Sequence, residues 1–198
     1  MDQSTHTGKI KTGLLFGSFN PVHTGHLIIA NHMLQHTSLQ EIWFVVSPQN
    51  PLKNQQDLFD EKTRCALVQA AIDDNAGFRL CARELSMERP SYSCKTIEVL
   101  QKENPDHDFV LIIGSDNLDV FDQWKNHEKI LKMISLFVYP RGEACRSPFL
   151  QHPSVRMVRA PLLEISSTMI RENIRQDKDI RYLVPDTVYW KIKEGILK

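Results

Sequence analysis

The sequence predicts an α/β fold, a doubly wound Rossmann-like parallel sheet with a small helical extension at its C-terminal end. Three observations carry this. Short apolar runs alternate with longer segments of helical period along almost the whole chain, the pattern of right-handed βαβ crossovers. One run, residues 109–113 (FVLII), is apolar throughout, as a strand covered on both faces must be. The chain has 198 residues and is 41% hydrophobic, enough to bury one core, so residues 1–198 read as a single domain.

The elements follow in order. The polar stretch MDQSTHTGKIK, residues 1–11, carries no apolar signal-peptide core and reads as a flexible tail. A strand is expected over residues 13–19 and a helix over 24–36. A second strand covers 41–47 (EIWFVVS) and leads into a loop holding Pro48, Asn50 and Pro51. Ala66, Leu67, Ala70 and Ala71 recur at helical spacing and predict a helix over 60–74. A weaker strand over 78–85, a helix over 92–104 and the strand at 109–113 come next. A helix over 127–134, a strand over 136–139, the irregular segment 142–153 and a sixth strand over 155–159 complete the alternation. Residues 165–198 form the helical C-terminal part, with helices over 166–176 and 186–197.

Composition excludes several classes. Lys plus Arg and Asp plus Glu both number 24, so the chain lacks the basic excess of a nucleic-acid-binding protein. Cys65, Cys81, Cys94 and Cys145 never form a C-x-x-C pair, and neither a disulfide framework nor a zinc site is indicated. No stretch reaches the ~18–20 apolar residues of a membrane span. A reduced, cytoplasmic protein without membrane or nucleic-acid partners is the expectation. A homo-oligomer is compatible with the sequence, with the 142–153 loop as a candidate contact.

Doubly wound sheets bind ligands beyond the carboxyl ends of their strands, so the residues just after each strand matter most. After the first comes Gly17-Ser18-Phe19-Asn20-Pro21-Val22-His23-Thr24-Gly25-His26. It has neither the G-x-G-x-x-G spacing nor the Gly-Lys-Ser/Thr of a P-loop. Gly17 lets a ligand approach the backbone closely. The helix that follows would offer free N–H groups and its positive dipole end to an anion. His23 and His26 stand three apart in its first turn, so both imidazoles share a face and can donate to phosphoryl oxygens. Two ordinary turn histidines are the bland alternative. No neighbouring Cys, Asp or Glu completes a ligand set, so no metal site is expected.

Near the other end stands Ile165-Ser166-Ser167-Thr168-Met169-Ile170-Arg171. The Ser/Thr cluster is a ready N-cap, and capping alone would explain it. Arg171 lies about one turn further on, where its guanidinium can reach back over the helix start to grip an anion.

The first segment resembles the G-x-F-x-P-x-H-x-G-H signature of the nucleotidylyltransferase superfamily, with His23-Thr24-Gly25-His26 as its H-x-G-H element. The second is similar to the I-S-S-T-x-I-R element by which the nicotinate-nucleotide branch holds ATP phosphates. Four further segments resemble the same branch. Pro48-Gln49-Asn50-Pro51-Leu52-Lys53 is similar to its P-x-x-P-H-K loop, with Leu52 where many members have histidine; taken alone, Lys53 is as readily a solvated loop lysine. Pro90-Ser91-Tyr92-Ser93 resembles its P-S-Y-T turn, with Ser93 for threonine. Gly114-Ser115-Asp116 followed by Trp124 matches its G-x-D and Trp spacing. Asp116 suits a ribose hydroxyl or a simple turn; Trp124 suits stacking on a pyridinium ring or a place in the core. Tyr182-Leu183-Val184-Pro185-Asp186-Thr187-Val188-Tyr189 resembles its C-terminal Y-L-V-P-x-x-V element.

The resemblance to nicotinate-nucleotide adenylyltransferases implies adenylyl transfer from ATP to nicotinate mononucleotide, giving nicotinate adenine dinucleotide and pyrophosphate in NAD biosynthesis. It implies His23, His26 and Arg171 as catalytic residues. ATP would lie against Gly17, Ser18, Phe19, Lys53, Gly114, Asp116, Ile165, Ser166, Ser167 and Thr168. The nicotinate nucleotide would lie against Asn20, Tyr92, Ser93 and Trp124. Mg²⁺ is expected to arrive on the ATP phosphates, its usual habit. No G-x-S-x-G elbow or Cys placed beside a strand-end His suggests a covalent nucleophile. Nicotinamide mononucleotide or 4′-phosphopantetheine are the alternative acceptors, and a non-catalytic nucleotide sensor is the alternative of another class. A tRNA synthetase fragment is disfavoured because no K-M-S-K-S-like loop is present.

Overall fold

The computed structural model describes residues 8–48, 59–142 and 144–196. Among these residues, six strands form one all-parallel sheet: β1 (Ile10–Gly17), β2 (Glu41–Val46), β3 (Phe78–Cys81), β4 (His107–Gly114), β5 (Ser135–Tyr139) and β6 (Val155–Met157). Their order is β3-β2-β1-β4-β5-β6, so the chain winds outward from β1 in one direction and then from β4 in the other. The reversal lies between β1 and β4, and that is where such sheets open a crevice.

Among the described residues, seven α-helices flank the sheet: α1 (Thr24–His36), α2 (Glu61–Ile72), α3 (Ser93–Glu103), α4 (Ser115–Asp119), α5 (His127–Met133), α6 (Ser167–Arg175) and α7 (Asp186–Lys191). The strand period of two sorts the core into two layers. Leu15, Phe44 and Ile112 face one way and pack with Met33 of α1, Leu67 of α2, Ile170 of α6 and Val188 of α7. Leu14, Val45 and Leu111 face the other way and pack with Ile97 of α3, Leu118 of α4 and Ile130 of α5. Burying each such side chain is worth about 1.5–3 kcal/mol, so both faces of the central strands hold the sheet together.

Several boundaries differ from the sequence pattern, each for a local reason. β1 begins at Ile10, where Ile10 and Lys11 pair with His107 and Asp108, so these two residues are strand and not tail. Residues 1–7 of the expected tail lie outside the described residues. β1 ends at Gly17 because Phe19 turns into the left-handed region at φ 44°. β3 stops at Cys81, and Arg83–Ser86 coils into a 3₁₀ turn in place of the expected continuation to residue 85. The short α4 and a 3₁₀ turn at Phe121–Gln123 fill the gap between β4 and α5, which periodicity alone had left blank. Within the irregular 142–153 segment, Pro148–Gln151 also forms a 3₁₀ turn. The last helix is α-helical only to Lys191 and widens into a π-type turn over Ile192–Ile196, where Gly195 leaves helical geometry at φ 105°.

Candidate active site

The turn after β1 is built around one ring. Phe19 is buried, with its ring edge-on to His26 (centroids 5.0 Å, 71°) and tilted on Phe44 at 5.6 Å. A Cβ on Gly17 would stand 2.9 Å from Phe19 Cζ. Internal packing therefore favours glycine here, in addition to the ligand approach read in the sequence.

The two histidines stack, with centroids 3.7 Å apart and planes 26° from parallel. Gly25 makes this possible: a Cβ there would meet His23 Nδ1 at 3.0 Å. His26 Nδ1 accepts the backbone N–H of His23 at 3.2 Å. A neutral imidazole accepting at Nδ1 carries its proton on Nε2, so this bond assigns His26 as an Nε2–H donor. His23 is only 4% exposed, and its Nδ1 is buried without a hydrogen-bond partner among the described residues. Burial, aided by the positive charge of Arg141, lowers its pKa to about 4, so it is neutral at pH 7.

The start of α1 differs from the expected open anion site. Thr24 N–H donates to Leu183 O at 2.9 Å, His26 N–H to His23 O at 2.9 Å and Leu27 N–H to His23 O at 3.4 Å. Most of its first-turn donors are thus used within the protein, and the imidazoles are left to present hydrogen-bond donors.

Ser166 caps α6, its side chain accepting Met169 N–H at 3.2 Å, and Ser167 Oγ donates to Pro21 O at 2.9 Å, tying this helix start to the β1 turn. Arg171 folds back as expected: Nη1 donates to Asn20 O at 3.0 Å and Nη2 reaches Thr168 Oγ1 at 3.4 Å. The two phosphate-type motifs, 151 residues apart at Asn20 and Arg171, are therefore one structure.

They line a cleft of about 240 Å³ over the carboxyl ends of β1 and β4, together with Gly114, Asn117, Trp124, Tyr139 and Arg141. Two guanidinium groups, Arg141 and Arg171, make this half electropositive. A second cleft of about 250 Å³ adjoins it and shares Phe16, Gly17, Ser18, Asn117 and Trp124. Its other walls are Ser47, Glu84, Ser91, Tyr92, Ser93, Gln123, Lys125 and Ile130. Tyr92 is the N-cap residue of α3, a helix that no side chain caps.

Two buried ionisable side chains brace this second cleft. Glu84 is 2% exposed and accepts the Thr96 hydroxyl at 2.7 Å. Burial raises its carboxyl above the usual range, partly offset by the hydroxyls of Ser47, Thr96 and Ser91. Arg64, on α2, is 1% exposed and, among the described residues, donates to backbone carbonyls: Nη1 to Ser18 O at 2.6 Å and Ser47 O at 2.7 Å, Nη2 to Pro48 O at 3.2 Å, and Nε to Phe59 O at 3.1 Å. One guanidinium thus joins the ends of β1 and β2.

Of the residues singled out in the sequence, Phe19, Asn20, His23, His26, Gly114, Ser166, Ser167, Thr168 and Arg171 line the first cleft, Tyr92 and Ser93 the second, and Gly17, Ser18 and Trp124 both. Asn20 lines the first cleft and not the second; its Oδ1 accepts Phe59 N–H at 2.9 Å and its carbonyl accepts from Arg171. Asp116 lines neither cleft and stands 3.7 Å from Arg141 at the rim. Ile165 lies in a small cavity of about 30 Å³ beside the histidines. Lys53 lies outside the described residues. Sequence reasoning missed Arg141, although it stands two residues past β5 and the strand-end rule would have found it. It also missed Glu84, hidden by extending β3 over a 3₁₀ turn, and Arg64, which had no motif. Among the described residues no group of three or more His, Cys, Asp or Glu is placed to hold a metal ion. No helix among them is long and apolar enough to cross a membrane.

Comparison with known proteins adds a family. The cytidylyltransferase-like family model matches residues 14–173. A probable nicotinate-nucleotide adenylyltransferase of Cytophaga hutchinsonii is 53% identical over 179 residues, covering 90% of this chain and 93% of that one. One from Bacteroides fragilis is 45% identical over 184 residues, covering 93% and 92%. The solved structure of Plasmodium falciparum nicotinic acid mononucleotide adenylyltransferase complexed with NaAD superposes with a TM-score of 0.76 over 93% of this chain and 96% of that one; at 20% identity this is a likeness of fold.

Proposed function

The chain belongs to the nicotinate-nucleotide adenylyltransferases of the cytidylyltransferase-like family, and from that membership and its twin clefts we propose that it transfers the adenylyl group of ATP to nicotinate mononucleotide. The observation that carries the reading is the junction itself. A cleft with two guanidinium groups and a histidine pair meets an aromatic-walled cleft over the end of β1, sharing Gly17, Ser18 and Trp124. A triphosphate suits the first and a pyridine nucleotide the second, which brings the two reacting phosphates together at the shared wall.

The proposed step is direct. A phosphate oxygen of the acceptor attacks the α-phosphorus of ATP, a P–O–P link forms, the α–β bridging bond breaks, and pyrophosphate leaves with the electron pair. Such transfers ask mainly for positioning and charge stabilisation. His26, donating from Nε2, and neutral His23 bind the phosphoryl oxygens. Arg171 and the Ser166–Thr168 helix start hold the β- and γ-phosphates, and Arg141 adds a second positive charge on that side. Trp124 stacks on the pyridinium ring, and the first turn of α3 at Tyr92 and Ser93 receives the ring's acid group. Mg²⁺ arrives with the substrate as Mg·ATP, held through phosphate and water. The four cysteines are free thiols, which suits the reducing cytoplasm as the place of this reaction.

ATP labelled at the α-phosphate tests the step. Label should pass into nicotinate adenine dinucleotide in one turnover with none retained on the protein. A labelled protein intermediate, or no labelled dinucleotide, would overturn it.

A further inference from the structure

Trp124 and Lys125 are consecutive, and both line the second cleft. Lys125 Nζ sits 4.2 Å from the centroid of the Tyr92 ring, over the face of the residue that starts α3. Asn126, in the left-handed region at φ 60°, turns the chain sharply after them and begins α5. Asparagine tolerates that conformation better than most residues, so the pair is held at a bend by local chemistry.

The charges around this ammonium are informative. Lys129, one turn into α5, is engaged by Glu98, and Arg89 by Glu61 at 2.8 Å. Lys125 forms no ion pair among the described residues; its partner is the π face of Tyr92. The carboxyl in the same cleft, Glu84, is buried against the Thr96 hydroxyl, and burial disfavours its ionised form. An exposed cation therefore stands beside the positive end of a helix dipole. That end of the cleft suits an anion.

The chemistry of the acceptor matches this arrangement. The pyridine ring of a nicotinate nucleotide carries a fixed positive charge on its nitrogen and a carboxylate on the ring. The corresponding amide carries only the first charge. An indole face attracts the ring cation, and an ammonium beside it can take the carboxylate.

We propose that Lys125 is a specificity-determining residue that selects an acidic pyridine nucleotide over its amide, serving as counter-ion to the carboxylate while Trp124 receives the ring. The proposal rests on the acceptor class given above. On binding, the ammonium exchanges the Tyr92 face for the carboxylate, a charge-assisted hydrogen bond roughly twice as strong as a neutral one.

The test compares kcat/KM for nicotinate mononucleotide with that for nicotinamide mononucleotide at saturating Mg·ATP, in the wild type, Lys125→Met and Lys125→Arg. The acid-over-amide ratio should fall about tenfold in Lys125→Met and stay within about threefold of wild type in Lys125→Arg. Raising the ionic strength should lower the wild-type ratio and leave that of Lys125→Met nearly flat. A merely structural loss would lower both acceptors together and leave the ratio unmoved, so an unchanged ratio in Lys125→Met overturns the proposal. A wild-type protein that turns over neither pyridine nucleotide overturns the acceptor reading itself, and that result is visible before any variant is made.

Discussion

His26 Nδ1 accepts the backbone N–H of His23 at 3.2 Å, and through that bond the helix start decides which nitrogen of His26 bears the proton. The consequence is a preorganised Nε2–H donor stacked against a second imidazole that burial keeps neutral.

Replacing His26 with alanine removes this donor. If it acts as an oxyanion-hole group does, kcat should fall roughly a hundredfold, about 3 kcal/mol of transition-state stabilisation. Steady-state kinetics on a protein with wild-type circular dichroism checks this. Wild-type kcat in the folded variant would remove His26 from the chemistry.

His23 gives a pH dependence of definite sign. Its pKa is 6.5 unperturbed and about 4 in the fold, so between these values the unfolded chain binds more protons. Its contribution to stability is therefore complete above pH ~6.5 and is lost as pH falls toward ~4. The loss amounts to about 3 kcal/mol. Urea midpoints should drop on acidification more steeply for the wild type than for His23→Asn. NMR of the His23 ring should show no inflection near pH 6.5. Arg141→Gln should raise the His23 pKa only partway, because burial is the larger cause.

Glu84 should behave in the opposite sense. Burial raises its pKa, so between the unfolded and the folded value the folded protein holds a proton that the unfolded chain has released. Stability from this group is greatest below the ordinary carboxylate pKa and is lost as pH rises through the folded value. Glu84→Gln keeps an acceptor for the Thr96 hydroxyl and cannot ionise. Relative to wild type it should gain stability between pH 5 and pH 8, read from urea midpoints at the two values. A constant difference would contradict the assignment.

Arg64→Met leaves the carbonyls of Ser18, Ser47, Pro48 and Phe59 without their shared donor. The expected cost is about 3 kcal/mol by urea denaturation, as for other broken buried charge networks. A loss under about 1 kcal/mol would mean the guanidinium is dispensable.

The winding of this fold is legible because strand and helix periods differ so sharply, and FVLII marks a strand covered on both faces. The halves of the phosphate side were legible as motifs, but not the Arg171-to-Asn20 bond that joins them, since no periodicity encodes a contact across 151 residues. At position 17 the sequence offered ligand approach as the reason for glycine, but the packing of the Phe19 ring against it depends on a turn that periodicity does not encode. The start of α1 was misjudged because Leu183, far along the chain, supplies the carbonyl that occupies Thr24 N–H. Glu84 and Arg64 escaped notice for a related reason: a charged residue looks exposed in a sequence until burial and its partners are seen.

The most direct test is pyrophosphate release from Mg·ATP with nicotinate mononucleotide, nicotinamide mononucleotide and 4′-phosphopantetheine offered in parallel. The account predicts rapid release with the nicotinate form, slower release with the amide and none with phosphopantetheine. Release with phosphopantetheine alone would keep the adenylyl chemistry and contradict the acceptor; no release with any of the three would contradict the catalytic reading of His23, His26 and Arg171.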